Sequence, residues 1–184
     1  MLFFNLKNGS TELYLWKKNP TAIFIYYLHQ LKKIVQKISQ HQNNNPALLQ
    51  QSLYPDMLPL IEQIRTAANF PLRSCCPLAN CERISFNNQD ETYLGLLQQI
   101  EKTIAYLQEL AHANVQHHPE KIQDQAGTKH LELPAAEYLN FYALPNFFFH
   151  LSMVYAIARN AGVPLSKGDF DGYHSYPENF SFVS

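Results

Sequence analysis

The sequence predicts an all-α fold, a four-helix bundle with a long crossover connection. Four segments carry apolar residues at the three- and four-residue spacing of a helix, and turn-forming residues bound each of them. No stretch has the pattern of a substantial sheet. The chain has 184 residues, of which 46% are hydrophobic and 16% charged, which suits one domain with one core. We therefore expect a single domain over residues 1–184, with the bundle at about 20–170, preceded by a short extension and followed by an aromatic tail.

The first two helices follow from apolar periodicity. In residues 20–40, apolar side chains recur on one side and lysines take the other. The pair Asn19 and Pro20 is a start signal, and the polar stretch HQNNNP ends the helix. The second helix is predicted in residues 54–70, where Pro59 is tolerable only in the first turn.

The third helix has the clearest pattern, in NNQDETYLGLLQQIEKTIAYLQELAHA, and Asn88 or Asp90 is expected to cap its amino end. A polar connection follows, in which KHLEL alternates like a short strand, so a small hairpin is possible there. The fourth helix is predicted to begin at Pro134, to bend near Pro145 and to close at Gly162.

The composition excludes several classes of function. With a formal charge of -1 and no basic face, the chain has no feature that would attract nucleic acid or an anionic membrane. Its first apolar run is shorter than a signal-peptide core, and the longest one, residues 147–158, is too short to span a bilayer. We expect a soluble protein that binds neither nucleic acid nor membrane.

The three cysteines, Cys75, Cys76 and Cys81, cluster in SCCPLANCE. An odd number in one cluster is a poor disulfide framework and favours a reducing cytoplasm. A zinc site here would need a fourth ligand from elsewhere in the chain. Nothing near Cys76 in the sequence would lower the pKa of its thiol and make it a nucleophile.

Three motifs, in order along the chain, carry a resemblance to a known family. They are LYPDMLPLIEQIRTA at residues 53–67, IEKTIAYL in the third helix, and EYL followed by LPNFFFHLSMVYAIARNAGVPLSKGDF in the last. Together they resemble a branch of unknown function within the DinB/YfiT-like superfamily of bundles, from about Phe24 to Phe170. The resemblance implies a DinB-like four-helix bundle with a long crossover, and frequent homodimers through helix faces.

The resemblance also implies a chemistry to look for. Many relatives in the wider superfamily hold a divalent metal with three histidines, one from the second helix and two from an H-x3-H motif on the last. They use the metal in thiol-dependent transferase or hydrolase reactions. The branch that this sequence resembles has no established activity.

The three-histidine site is absent from this sequence. One turn before and after His150 stand Asn146 and Val154, and the second helix offers Asp56 and Gln63 but no histidine. A weaker set remains as a candidate ligand site, consisting of Asp56, Gln63, Asn146 and His150, with Tyr138 or Tyr155 as further donors. Such a set can hold a hard ion through oxygen or a polar ligand inside the bundle.

A structural role for the same residues is the favoured alternative. Asn146 is then a cap of the turn after Pro145, Asp56 is a cap of the second helix, and His150 satisfies a buried carbonyl or carboxylate. A lone histidine in an apolar helix usually has this role. We therefore expect no metal and no other cofactor, with a divalent metal as the less favoured alternative.

The run NFFFHLSMVYAIA in the last helix has almost no polar side. Its outer surface is covered either by the crossover and tail of the same chain or by the equivalent helix of a second chain. Because an exposed aromatic stripe promotes aggregation, and because the resemblance implies dimers, we expect a homodimer through helix faces.

Three functions follow for consideration. The first is a DinB-like bundle with a degenerate metal site that binds a small ligand or is non-catalytic. The second is a metal-dependent hydrolase or transferase with an unusual site around His150. The third is an interaction protein that works through its aromatic helix.

Overall fold

The computed structural model describes residues 20–113, 119–177 and 180–181. Asn19 and the rest of the predicted amino-terminal extension lie outside these ranges. The four long helices are α1 (Ala22–His41), α2 (Leu60–Leu78), α3 (Tyr93–His112) and α4 (Ala135–Asn160). The shorter elements are a 3-10 helix (Pro46–Gln50), an antiparallel hairpin of β1 (Lys121–Ala126) and β2 (Lys129–Pro134), and α5 (Lys167–Asp171). The predicted all-α class and the small hairpin before the last helix are confirmed.

The long crossover joins α2 to α3. Arg65, in the second turn of α2, donates from Nη2 to the backbone carbonyls of Asn88 at 3.1 Å and Asp90 at 3.3 Å. Residues 79–92 therefore run back along the bundle, so that α2 and α3 start at the same end. Within the bundle, α2 packs against α4 and α3, and α1 packs against α3 and α5.

Aromatic contacts join α1 to α4 in the core. The rings of Phe24 and Phe147, both fully buried, meet edge to face with centroids 5.2 Å apart. Tyr27 makes a similar contact with the half-buried Phe148 at 4.8 Å. The next residue, Phe149, is 52% exposed. The three consecutive phenylalanines therefore face three different environments, as a helical rotation of about 100° per residue requires.

The predicted end of α2 at Phe70 is wrong, because the helix continues through Pro71 and Pro77 to Leu78. A proline in a helix removes the N–H that would bond the carbonyl four residues earlier. For Pro77 that carbonyl belongs to Arg73, and it accepts instead from Arg83 Nε at 3.1 Å. The carbonyl is thus satisfied by a residue from outside the helix.

The predicted helix caps are also wrong. The cap of α3 is Thr92, whose Oγ1 accepts the backbone N–H of Gly95 at 3.1 Å. Asn88 and Asp90 instead accept backbone N–H groups two residues ahead, at 3.0 Å each, and so form the turns that lead into Thr92. At α2 the cap position is Pro59, with no side-chain cap, and the exposed Asp56 precedes it in a turn.

The fourth helix is irregular just before Pro145. Its first residues, Ala135–Glu137, lead into a π-helical stretch at Tyr138–Ala143, and α-helical bonding resumes at Leu144–Asn160. Gly162 follows the end of the helix with φ +84°, a conformation that costs least for glycine. By length and composition, Ala135–Asn160 is apolar enough to cross a membrane, which the shorter run 147–158 did not suggest. A single such helix is weak evidence, since core helices of soluble proteins pass the same test.

Candidate functional site

A hydrogen bond between α2 and α4 joins two of the residues that the sequence singled out. Nδ1 of His150 lies 2.7 Å from Oε1 of Gln63, whose side chain is almost fully buried. The amide nitrogen of Gln63 donates to the Leu58 carbonyl at 3.2 Å, which fixes the orientation of the amide. The oxygen of Gln63 then faces the ring and can only accept, so Nδ1 of His150 carries the hydrogen.

The opposite ring nitrogen of His150 is therefore an acceptor. Burial lowers the pKa of His150 below its ordinary value of 6.5, so the ring is neutral at neutral pH and Nε2 keeps its lone pair. Within the described ranges, no hydrogen-bond partner reaches Nε2. The ring lies against Phe70, with centroids 5.8 Å apart, and meets Phe149 edge to face at 5.3 Å.

Asn146 adds a second acceptor one turn earlier on the same face of α4. Its Nδ2 donates to the Tyr142 carbonyl at 2.7 Å. The amide oxygen of Asn146 has no partner in the part of the chain that the structure describes. This face of α4 therefore presents one nitrogen and one oxygen acceptor beside the rings of Phe70 and Phe149.

The structure separates the other predicted site residues from this pair. Asp56 has neither a hydrogen bond nor an ion pair with any described residue. Tyr155 lies about 140° around α4 from His150 and packs edge to face on Phe170 at 6.1 Å. Tyr138 lies near the start of α4 and bonds to Asp124. Across the described ranges, no group of three or more His, Cys, Asp or Glu side chains could hold a metal ion.

A charged cluster that the sequence did not predict lies between the carboxyl-terminal part of α2 and the start of α4. Nε and Nη2 of Arg73 donate to the Asp124 carboxylate at 2.9 and 2.6 Å, and Tyr138 Oη donates to it at 2.5 Å. The Asp124 side chain is only 6% exposed. Burial alone would raise the pKa of this carboxyl, but the hydrogen bonds from Arg73 and Tyr138 lower it instead. The cluster fastens β1 to α2 and α4.

The Arg73 guanidinium also lies over aromatic rings, 5.3 Å from the centroid of Phe70 and 5.9 Å from that of Tyr142. Phe70 therefore contacts both Arg73 and His150. Residues 73 and 124 stand far apart in the sequence, and no local pattern links them. The only related feature of the sequence is the turn DQAG, which predicts where β1 ends but does not show that Asp124 contacts Arg73.

The cysteines are free thiols and Cys75 and Cys76 are buried. Burial raises the pKa of Cys76 to about 11, so its thiol stays protonated at neutral pH. Cys81 Sγ donates to the Cys76 carbonyl at 3.2 Å. These contacts do not create the thiolate that a nucleophilic cysteine requires.

The hydrogen-bond arrangement predicts the tautomer of His150. At neutral pH we expect hydrogen on Nδ1 and none on Nε2, and we expect the ring to titrate below 6.5 because burial disfavours its charge. Since the unfolded chain binds this proton more readily, His150 stabilises the fold above its ordinary pKa, and that contribution is lost as the pH falls through the folded value. Long-range ¹H–¹⁵N correlation spectra of the histidine rings measure both properties.

Gln63→Leu is the matched variant, because it removes the acceptor while keeping an apolar chain of similar size. Its His150 ring should lose the preference for hydrogen on Nδ1. Hydrogen on Nε2 in the wild-type protein would contradict the arrangement.

Comparisons with known proteins agree with the fold. A family model described as "Domain of unknown function (DUF1993)" matches residues 19–171. A crystal structure of a DinB family member protein from Shewanella denitrificans is similar over 90% of this chain and 98% of that chain, with 24% identity and a TM-score of 0.70. At that identity the similarity shows the fold alone. No curated protein matches the chain. The predicted DinB-like fold and the predicted family of unknown function are confirmed.

Proposed function

This chain belongs to the DUF1993 family, and from that premise we propose that it binds a small molecule without catalysis, at the face of α4 that carries His150 and Asn146. One observation carries the proposal. The bond between Gln63 and His150 orients the ring so that Nε2 remains an unused acceptor, on the face of α4 where Asn146 stands one turn earlier. This acceptor pair stands where the resemblance implies a metal centre in distant relatives.

The chemistry of the face indicates the ligand class. Two acceptors, Nε2 of His150 and the amide oxygen of Asn146, favour a ligand that supplies hydrogen, such as an alcohol or an amine. The rings of Phe70 and Phe149 beside His150 favour an aromatic group next to that donor. We therefore propose small aromatic alcohols or amines as the ligand class.

A metal-dependent hydrolase or transferase is the second candidate. In its favour, histidines that bind metals commonly donate from their other nitrogen to an oxygen, as His150 does to Gln63. Against it, a catalytic zinc site has three protein ligands, whereas His150 and Asn146 supply one nitrogen and one weak oxygen. The donor set thus fits a neutral ligand better than an ion.

A binding experiment tests the first candidate. Benzyl alcohol, which has an O–H donor, should shift the ring ¹⁵N signals of His150 saturably, and methyl benzyl ether, which has none, should bind about fivefold more weakly. His150→Phe keeps an aromatic ring against Phe70 but removes the nitrogen acceptor, so this variant should discriminate less between the two compounds than the wild-type protein does. Equal binding by the wild-type protein would reject the proposal.

Elemental analysis tests the second candidate. Protein purified without chelators is compared with His150→Ala. Stoichiometric metal in the wild-type protein that disappears in the variant would replace the first candidate by the second.

We also propose that α4 forms a homodimer interface with a second copy of the chain. Phe141 and Phe149 are 77% and 52% exposed, and with the exposed Pro145 between them they form one apolar stripe at four-residue spacing. Phe148 packs on Tyr27 inside the same chain and does not belong to the stripe. A second copy of α4 would cover this stripe with the same apolar surface.

The stripe predicts a change of mass on mutation. We expect Phe141→Glu combined with Phe149→Glu to convert a dimer into a monomer, because two carboxylates cannot be buried in an apolar interface without partners. Light scattering after size-exclusion chromatography measures the mass. Leu94→Glu, at a 63% exposed residue of α3, is the control and should remain dimeric. A monomeric wild-type protein would exclude the interface.

A further inference from the structure

A second concave site lies at the carboxyl end of α4, away from His150. The ends of α1 and α4, residues 164–169 and parts of the tail (174–177 and 180–181) surround a cavity of about 990 Å³. That volume is at the upper end of the range for small-molecule sites. Tyr155, on the side of α4 opposite to the Gln63 bond, forms part of its wall.

The cavity has an excess of positive charge among its described residues. Lys37, Arg159 and Lys167 line it, together with a single carboxylate, Asp169. That carboxylate is already engaged, because Oδ1 pairs with Lys37 at 2.6 Å and Oδ2 accepts the backbone N–H of Ser166 at 2.8 Å. Arg159 and Lys167 have no ion-pair partner in the described part of the chain.

Arg159 is not needed to complete the end of α4. The backbone N–H of Gly162 bonds the Arg159 carbonyl at 3.0 Å, and that of Val163 bonds the Ala158 carbonyl at 3.0 Å. The guanidinium makes only a long contact of 3.4 Å from Nη1 to the Val163 carbonyl. The partial negative charge at the end of a helix, about half a unit, is smaller than the combined charge of the cations that line the cavity. Most of the guanidinium N–H groups therefore stay available.

Aromatic faces stand beside these cations. In the tail, Tyr176 stacks on both Phe180, with centroids 4.8 Å apart, and His174, with centroids 6.0 Å apart, so these rings are engaged with one another. Tyr155, on α4, contributes a separate ring to the wall. A flat apolar surface next to a free guanidinium is complementary to a planar ring that bears an anionic oxygen group.

We infer that this cavity is a binding site for a planar aromatic anion, with the anionic oxygens at Arg159 and Lys167 and the ring against Tyr155. A carboxylate and a phosphate ester share this chemistry. Arg159 presents a fork of N–H donors that matches two oxygens of either group. The site is independent of the acceptor pair at His150, which suits hydrogen-donating ligands instead.

Calorimetric titration of the full chain tests the inference. The probes are 4-nitrobenzoate, 4-nitrophenyl phosphate and the neutral methyl 4-nitrobenzoate. We expect at least one anion to bind, and the ester to bind at least about tenfold more weakly, because it lacks the charge-assisted bonds. Whichever anion binds more tightly identifies the oxygen group that the site prefers.

The variants locate the binding. Arg159→Gln and Lys167→Gln should each weaken the anion about tenfold, whereas Lys102→Gln, at an exposed lysine of α3, should leave it unchanged. His150→Phe should also have no effect, which separates this site from the proposed function. Thermal unfolding confirms that the variants fold. The inference is overturned if neither anion binds, if the ester binds as well as the better anion, or if Arg159→Gln and Lys167→Gln leave that binding unchanged.

Discussion

Replacing Asp124 by alanine is expected to lower the free energy of unfolding by about 3 kcal/mol, since it breaks a buried ion pair from one side. The substitution leaves the Arg73 guanidinium without its carboxylate and the buried Tyr138 hydroxyl without its acceptor. The value is at the low end of the range for such pairs, because the Arg73 side chain is 28% exposed and water can replace part of the lost interaction. Urea unfolding measures the change.

Two variants act as controls for Asp124→Ala. Asp124→Asn keeps a hydrogen-bond acceptor of nearly the same shape, so it should lower the free energy of unfolding by less than Asp124→Ala does. Glu132→Gln removes the carboxylate of the ion pair with Lys121 on the same hairpin, where both side chains are largely exposed, and should change the free energy by less than about 1 kcal/mol. Equal effects of Asp124→Ala and Glu132→Gln would contradict a special role for the buried pair.

The same carboxylate gives the stability a pH dependence. Hydrogen bonds from Arg73 and Tyr138 outweigh burial and hold the pKa of Asp124 below its ordinary 3.8 in the folded protein. The contribution of Asp124 is therefore complete above 3.8 and is lost as the pH falls through the lower, folded value. In Asp124→Asn this part of the acid dependence should be absent.

Phe147→Ala is expected to lower the free energy of unfolding by about 4 kcal/mol, because a large buried ring is replaced by a cavity. Phe147 is fully buried and meets Phe24 edge to face at 5.2 Å, so this ring contact between α1 and α4 is lost with it. Urea unfolding at constant pH measures the loss.

Phe149→Ala is the matched control, since it removes the same ring two residues later, at a side chain that is 52% exposed. Phe149→Ala should lower the free energy of unfolding by less than about 1 kcal/mol when measured on the monomer. Losses of similar size for the two variants would contradict the assignment of Phe147, and not Phe149, to the core.

The helices could be predicted from the sequence, but not all of their ends. Apolar periodicity located all four long helices, because the spacing of apolar residues within one helix shows which of its faces is buried. The second helix is predicted only to Phe70, yet α2 continues through Pro71 and Pro77 to Leu78. The Arg73 carbonyl that Pro77 leaves free is satisfied by Arg83, and a partner that arrives from outside the helix leaves no sign in the local pattern.

The candidate site was predictable in its residues and not in its geometry. His150 and Gln63 stood out as polar groups on two apolar helix faces, and the structure joins them. The tautomer of His150 depends on a second bond, from Gln63 to the Leu58 carbonyl, which spacing does not reveal. The Arg73–Asp124 pair was missed for a related reason, since it connects a helix to a hairpin and follows no periodicity.

The contact of Phe24 with Phe147 has a consequence for the order in which the protein can be made. The ring that closes the centre of the molecule belongs to the last long helix, which leaves the ribosome after the other three have been synthesised. Until then, the apolar faces of α1 and α2 that pack against α4 lack their partner. The native core therefore cannot be complete before α4 has emerged from the ribosome.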